Sequence, residues 1–247
     1  MQKIRLTIYA VVLWAVPIAV NSQASESKWQ MMRDQLVNEI KQDMRRARHY
    51  LGYGELNVAT IEALSAVARH EFVPADFQRD AYNNHPLPIG EGQTISQPFI
   101  VALMTDLLQV DSGSRVLEVG TGSGYQAAVL AELVDQVYSV EIVGALAERA
   151  RNTLSRLGYT NVYVRHGDGT RGWQEQAPFD GIIVTAAGIE LPDELLDQLA
   201  PGGTMVMPVG AQHETQQLKV IKRALDGSFE ENDALPVRFV PITTEVR

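Results

Sequence analysis

The run Glu118-Val119-Gly120-Thr121-Gly122-Ser123-Gly124 constrains the fold more than any other feature of the chain. It ends an apolar stretch, Arg115 to Val119, that reads as a buried strand, and it precedes a helical stretch from Tyr125 to Val134. Glycines between a strand and a helix allow a tight turn and let a ligand approach the backbone without side-chain interference. The alternation continues downstream, with strands over 136–140, 161–165, 179–185 and 204–208 and helices over 143–157 and 192–199. Strands alternating with helices predict a doubly wound α/β fold, its mostly parallel sheet covered on both faces. Residues 216–223 and 236–240 read as strands with no helix between them, which predicts an antiparallel C-terminal edge.

Ahead of this core the pattern changes. The spacing of Trp29, Met32, Leu36 and Ile40 predicts a helix from Glu26 to about Arg48. The basic cluster at its end, Lys41, Arg45, Arg46 and Arg48, reads as a solvated last turn complementing the helix dipole. A second helix is expected after Asn57, a good N-cap. Residues 72–98 are rich in Pro, Gly, Asn and Gln and read as an ordered loop region, too long for a simple connector. At the N-terminus, Lys3 and Arg5 precede the apolar run Leu6 to Val20 and then Ser22-Gln23-Ala24, the three-part layout of a secretory signal. The apolar run falls short of the roughly 18 to 20 residues that span a bilayer. The expected organisation is a signal peptide over 1–24 cut near Ala24-Ser25, a helical and loop region over 25–98, and a core over 99–247 forming one domain with it. The body is then exported, to the periplasm, with membrane contact only if the N-terminal segment is retained.

Composition closes several routes. With 45% apolar residues the chain carries an ordinary globular core. The absence of cysteine excludes disulfides, thiolate catalysis and cysteine-ligated metals. A net charge of -9 argues against a nucleic-acid partner held by bulk attraction. His49, His70, His85, His166 and His213 show no metal-ligand spacing, so no metal site is expected. No Ser-His-Asp set can be assembled by spacing either.

The glycine-rich loop suits two cofactor classes, dinucleotides and S-adenosylmethionine. Glu141 lies at the end of the next strand, about 20 residues on, where a carboxylate can accept both ribose hydroxyls. The spacing is G-x-G-x-G rather than G-x-G-x-x-G, and Glu118 sits two residues before the first glycine. A carboxylate there repels a pyrophosphate but suits a cationic methionyl group. Asp168, in Gly167-Asp168-Gly169, falls at the same sheet edge and suits an adenine amino group. These features favour S-adenosylmethionine, held by Glu118, Gly120, Thr121, Gly122, Glu141, Asp168 and Gly169. The plain alternative for each acid is a surface or capping carboxylate.

The acceptor half rests on Pro86 to Pro98, above all Gly92-Gln93-Thr94-Ile95-Ser96-Gln97-Pro98. With Val116 to Tyr125, Phe72-Val73-Pro74, Arg165 to Gly169, Phe179 to Ala187, Pro201-Gly202-Gly203 and Arg238-Phe239-Val240-Pro241, it closely resembles the protein-L-isoaspartate O-methyltransferase family. The similarity runs in family order over roughly residues 30 to 242. It implies the Rossmann-like sheet of class I methyltransferases with an added N-terminal helical extension. It also implies methyl transfer from S-adenosylmethionine to the α-carboxylate of isoaspartyl residues in damaged proteins and peptides, and repair through a succinimide. Ser96 becomes the expected catalytic residue, with Thr94, Ile95 and Gln97 shaping the substrate pocket, and a monomer is expected.

Two departures stand out: Thr170, where many members carry an aromatic residue, and the long N-terminal helix. From the residues alone, Ser96 can equally be the N-cap of the helix through Val101, Met104 and Leu108. The competing functions are a related methyltransferase with another acceptor, which should lack the Gln93 to Pro98 stretch, and a non-catalytic cofactor-binding relative.

Overall fold

The computed structural model describes residues 18–212 and 214–245. The proposed signal segment therefore lies outside the described residues up to position 17; beyond it, helix α1 (Ile18–Leu51) runs without a break through Ala24 and Ser25. Its buried positions Leu36, Ile40 and Met44 recur every four residues and form one stripe against the body. Arg33, buried on the same helix, donates to the carbonyls of Ser65 (3.0 Å) and Ala66 (3.3 Å). These are last-turn acceptors of α2 (Val58–Ala66) left without intrahelical donors, so Arg33 fastens α1 to the C-terminus of α2. At the other end of α2 the Asn57 side chain accepts from Ala59 N–H, as expected.

Residues 72–98 hold more structure than the loop reading allowed. Two 3-10 turns, Arg69–Phe72 and Ala75–Asp80, lead into an antiparallel hairpin of β1 (Leu87–Gly90) and β2 (Gln93–Ile95). Glu91 and Gly92 at its tip both have positive φ (54° and 72°), the geometry of the tight turn that joins twisted strands. Two strands of three and four residues are too short to register as periodic in the sequence. Helix α3 (Pro98–Leu107) follows, with Gln97 in the N-cap position and Pro98 opening the first turn. Ser96 is therefore not the cap, which corrects the alternative reading of that residue.

The core alternates β3 (Arg115–Val119), α4 (Tyr125–Ala131), β4 (Gln136–Glu141), α5 (Gly144–Arg156), β5 (Val162–His166) and β6 (Phe179–Val184). Then come α6 (Asp193–Gln198), β7 (Leu199–Val209), β8 (Gln216–Arg223) and β9 (Phe229–Val237). The seven strands lie in the order β5-β4-β3-β6-β7-β8-β9, parallel from β5 to β7 and antiparallel through β8 and β9. This is the doubly wound, mostly parallel sheet expected. The final strand is displaced from its expected place at 236–240. Its residues Phe229 to Asp233 are all exposed, so this edge strand has no apolar alternation to announce it.

Alternating side chains send Leu117 and Val119 into one core cluster and Val116 into the other, so the sheet has a buried layer on each face. The chain leaves β3 toward β4 and β5, then returns to β6 on the other side. That reversal makes β3 the topological switch point, and open α/β sheets bind ligands beyond the carboxyl ends of the strands there.

Candidate active site

Backbone geometry makes the glycine loop a cradle. Gly120, Gly122 and Gly124 all have positive φ, at 96°, 54° and 88°. A Cβ on Gly120 would also collide with the Thr185 hydroxyl oxygen. The turn closes through Gly124 N–H to the Thr121 carbonyl (2.8 Å), and α4 starts immediately after it.

Glu141 ties this loop to the neighbouring strand. One carboxylate oxygen accepts from Gly122 N–H at 2.7 Å, the other from Val143 N–H at 2.9 Å. An ionised carboxylate offers about four lone-pair sites, so two remain for the vicinal hydroxyls of a ribose. Glu141 lines a cleft together with Gly120, Thr121, Gly122, Gly169 and Ile95. The donor set and the glycine cradle fit the nucleoside part of S-adenosylmethionine.

The other two acids sit differently. Glu118 is fully buried and outside the cleft wall. It pairs in register with Ser139, whose hydroxyl bridges Glu118 and the Thr121 hydroxyl. β3 turns the Glu118 side chain, expected beside a methionyl cation, into the core beneath the loop, where through Ser139 it braces Thr121. Burial pushes its pKa up from 4.5 to about 8; the Ser139 hydroxyl opposes the shift and the Glu141 charge adds to it. Asp168 caps a 3-10 turn, accepting from Thr170 N–H (3.0 Å) and Thr170 Oγ1 (2.7 Å), with Arg171 Nε at 3.6 Å from its other oxygen. Asp168 thus serves as a cap through one oxygen, and Thr170, the departure from the family pattern, supplies the donors. Gly169, next to it, does line the cleft and packs so closely on Val119 that a Cβ would collide.

A protonated buried acid has a consequence for stability. The folded Glu118 keeps its proton to about pH 8, whereas the unfolded chain releases it near 4.5. Its contribution is therefore fully present below 4.5 and is lost as pH rises through 8. Glu118→Gln preserves the neutral shape without titrating. Between about pH 5 and 8 the melting temperature of this variant is expected to fall less than that of the wild type. Parallel melting curves across the window would show that Glu118 does not titrate there.

A second, larger cleft of about 1060 Å³ opens beside the first. Ser96 and Thr94 line both clefts, Gln97 lines the second, and Ile95 lines the first from β2. Three residues the sequence reading did not single out complete the junction: Thr185, Val240 and Pro241. The C-terminal segment reaches the site because Ala187 N–H donates to the Val240 carbonyl and Ile242 N–H to the Ala187 carbonyl, both at 2.8 Å. Thr185 caps β6 and donates its hydroxyl to the carbonyls of Val119 (3.1 Å) and Gly120 (2.7 Å).

Arg69 was also missed. It is fully buried and donates to the carbonyls of Ala81 (2.9 Å) and Ser96 (2.8 Å). Its guanidinium lies 4.7 Å from the ring centre of Tyr125, a residue of the first cleft. Burial lowers its pKa to about 10, which leaves it charged at neutral pH. It therefore anchors the backbone of Ser96 against the first turn of α4. Among the described residues no group of His, Asp or Glu side chains converges as a metal site.

The fold and the glycine cleft together define a class I methyltransferase. Residues 38–247 match the family model described as protein-L-isoaspartate(D-aspartate) O-methyltransferase, and the chain belongs to this family. It is 55% identical over 220 residues to protein-L-isoaspartate O-methyltransferase 2 of Syntrophobacter fumaroxidans, covering 89% of each chain. It is 52% identical over 208 residues to the enzyme of the same name from a Polaromonas species, covering 84% of this chain and 99% of that one. Among solved structures it resembles a protein-L-isoaspartate O-methyltransferase at TM-score 0.74 and 29% identity, over 87% of this chain and 67% of that one. It also resembles a Plasmodium falciparum relative in complex with S-adenosyl-L-homocysteine at TM-score 0.67 and 25% identity, over 83% of this chain and 97% of the other.

Proposed function

We propose that the chain transfers a methyl group from S-adenosylmethionine to the α-carboxylate of L-isoaspartyl residues in damaged proteins and peptides. The observation that carries this reading is the meeting of the two clefts over Ser96, Thr94 and Thr185. A donor in the glycine cradle and an acceptor from the outer cleft converge only there.

S-adenosylmethionine supplies a methyl group made electrophilic by the sulfonium. Glu141 and the loop from Gly120 to Gly122 hold its nucleoside part. The acceptor carboxylate is already ionised at neutral pH, so the chain needs no general base. Its task is alignment and exclusion of water, and each carries a large share of a barrier of this kind. Ser96 makes no hydrogen bond through its hydroxyl among the described residues, so that hydroxyl can donate to the carboxylate oxygen that does not attack. A strong donor on the attacking oxygen would blunt it. The following backbone nitrogen then attacks the ester carbonyl without the enzyme, and the methoxy group leaves with the amide proton as methanol. The resulting succinimide hydrolyses partly to normal aspartate.

The test is methyl transfer from labelled S-adenosylmethionine to one peptide made in isoaspartyl and aspartyl forms. Label on the isoaspartyl form alone is the expected result, and equal label on both would move the reading to another acceptor. Ser96→Ala is expected to lower turnover about ten- to a hundredfold, the scale of one hydrogen bond to a charged group. Its cofactor affinity should stay nearly unchanged, and wild-type turnover would remove Ser96 from the acceptor site. The N-terminal layout supports an exported enzyme. Cleavage after Ala24 leaves a chain starting at Ser25, which the intact mass of the purified protein reports.

A further inference from the structure

We propose that Arg46 and Arg238 make the outer cleft select isoaspartyl acceptors that carry acidic side chains beside the damaged residue. The inference rests on the methyl-transfer reading and specifies its substrates.

The cleft wall is drawn from two distant parts of the chain. The last turns of α1 supply Asp43, Arg46, His49 and Tyr50, and the segment after β9 supplies Arg238, Phe239 and Pro241. Its charges oppose those of the molecule. The chain as a whole carries -9, yet the wall holds two guanidinium groups and one carboxylate. That carboxylate is already engaged: Asp43 accepts from Arg46 Nη1 at 2.8 Å through one oxygen and from Asn84 Nδ2 at 2.8 Å through the other. Arg46 keeps its remaining donors and a side chain that is 74% exposed. Arg238 is exposed and has no carboxylate or carbonyl partner among the described residues.

A solvated last turn was the plain reading of the α1 cations. Arg45, Arg46 and Arg48 are indeed exposed, and the fold divides them further: Arg46 lines the cleft, whereas Arg45 lies outside its wall. An extended peptide advances about 3.3–3.6 Å per residue, so the neighbours of a residue held at Ser96 lie along this wall. A carboxylate there meets the Arg238 guanidinium, which has no carboxylate partner among the described residues, and the donors that Arg46 leaves free of Asp43, in the plane a carboxylate requires. A lysine in the same place meets like charge. The attraction is local because it acts over less than the roughly 10 Å screening length of ordinary buffer.

The test uses three isoaspartyl peptides that differ only in glutamate, glutamine or lysine on both sides of the damaged residue. Methyl transfer is followed at low salt and at about 0.5 M salt. KM is expected to be about three- to tenfold lower for the glutamate peptide than for the glutamine one, and higher for lysine, in line with exposed ion pairs. High salt should compress the spread. The double variant Arg46→Ala, Arg238→Ala should bring the three KM values together, while Arg45→Ala, which removes one equal charge outside the wall, should keep them apart. Equal KM values in the wild type, or a spread that survives the double variant, would overturn the selection and leave the activity standing. Methylation of none of the peptides would overturn the activity and the selection with it.

Discussion

Glu141→Ala is expected to weaken S-adenosylmethionine binding about a hundredfold or more. Two kinds of contact disappear together. The carboxylate holds the loop through Gly122 N–H and the start of α5 through Val143 N–H, at 2.7 and 2.9 Å. On the proposed reading its unused lone pairs accept from the ribose hydroxyls. A hydrogen bond to a charged group contributes about 1.5–3 kcal/mol, and each 1.4 kcal/mol is about tenfold in affinity, so loss of two such bonds accounts for the effect. Titration calorimetry reads it directly. An affinity within about threefold of wild type would remove Glu141 from the cofactor site. Acceptor KM, measured at saturating cofactor, should change far less, because Glu141 is not part of the outer cleft wall.

Gly120→Ala should be the most damaging single methyl group added anywhere near the site. Its φ of 96° lies where side chains are strained, at about 1–3 kcal/mol. The added Cβ also runs into Thr185 Oγ1, whose two hydrogen bonds to Val119 and Gly120 carbonyls join β3 to β6 at the meeting of the clefts. Relief of that collision must move either the loop or Thr185, and both are needed for alignment. A misplacement of about 1 Å can cost a hundredfold in rate, so turnover is expected to drop by about that factor along with the melting temperature. Gly122→Ala provides the contrast. There φ is 54°, inside the left-handed basin, and the nearest atom to a new Cβ is Ile89 Cδ1 at 3.4 Å, the end of a flexible side chain. A loss of rate in Gly122→Ala equal to that in Gly120→Ala would show that steric contact with Thr185 is not the cause.

The elements of the core were legible because each is written in neighbouring residues. Strand β3 was delimited correctly by its apolar run, and β8 likewise. The hairpin of β1 and β2 was missed because its strands are shorter than one readable period. The only local cue was the pair Glu91-Gly92. Strand β9 was placed late because its exposed, acidic first half pairs through backbone alone, and backbone pairing leaves no trace in side-chain pattern. Among the acids, spacing placed Glu141, Glu118 and Asp168 near one sheet edge but could not tell which would face a ligand. That depends on the alternation of β3, which turns Glu118 inward, and on Thr170, which draws Asp168 into a cap.

The sequence by itself determined the alternation of strands and helices, the glycine cradle and the place of Glu141 at the carboxyl end of β4, beside that cradle. Each of these rests on residues a few positions apart, where backbone stereochemistry and side-chain period act directly. Only the tertiary structure decided that Thr185 and Pro241 close the junction, that Arg69 holds the Ser96 carbonyl from 27 residues away, and that Arg46 faces a cleft shared with Arg238. Those meetings are made by the reversal of chain direction at β3 and by the packing of α1 against α2, α3 and the edge strand β9. They are consequences of the whole buried core, and no local segment carries the free energy that selects them.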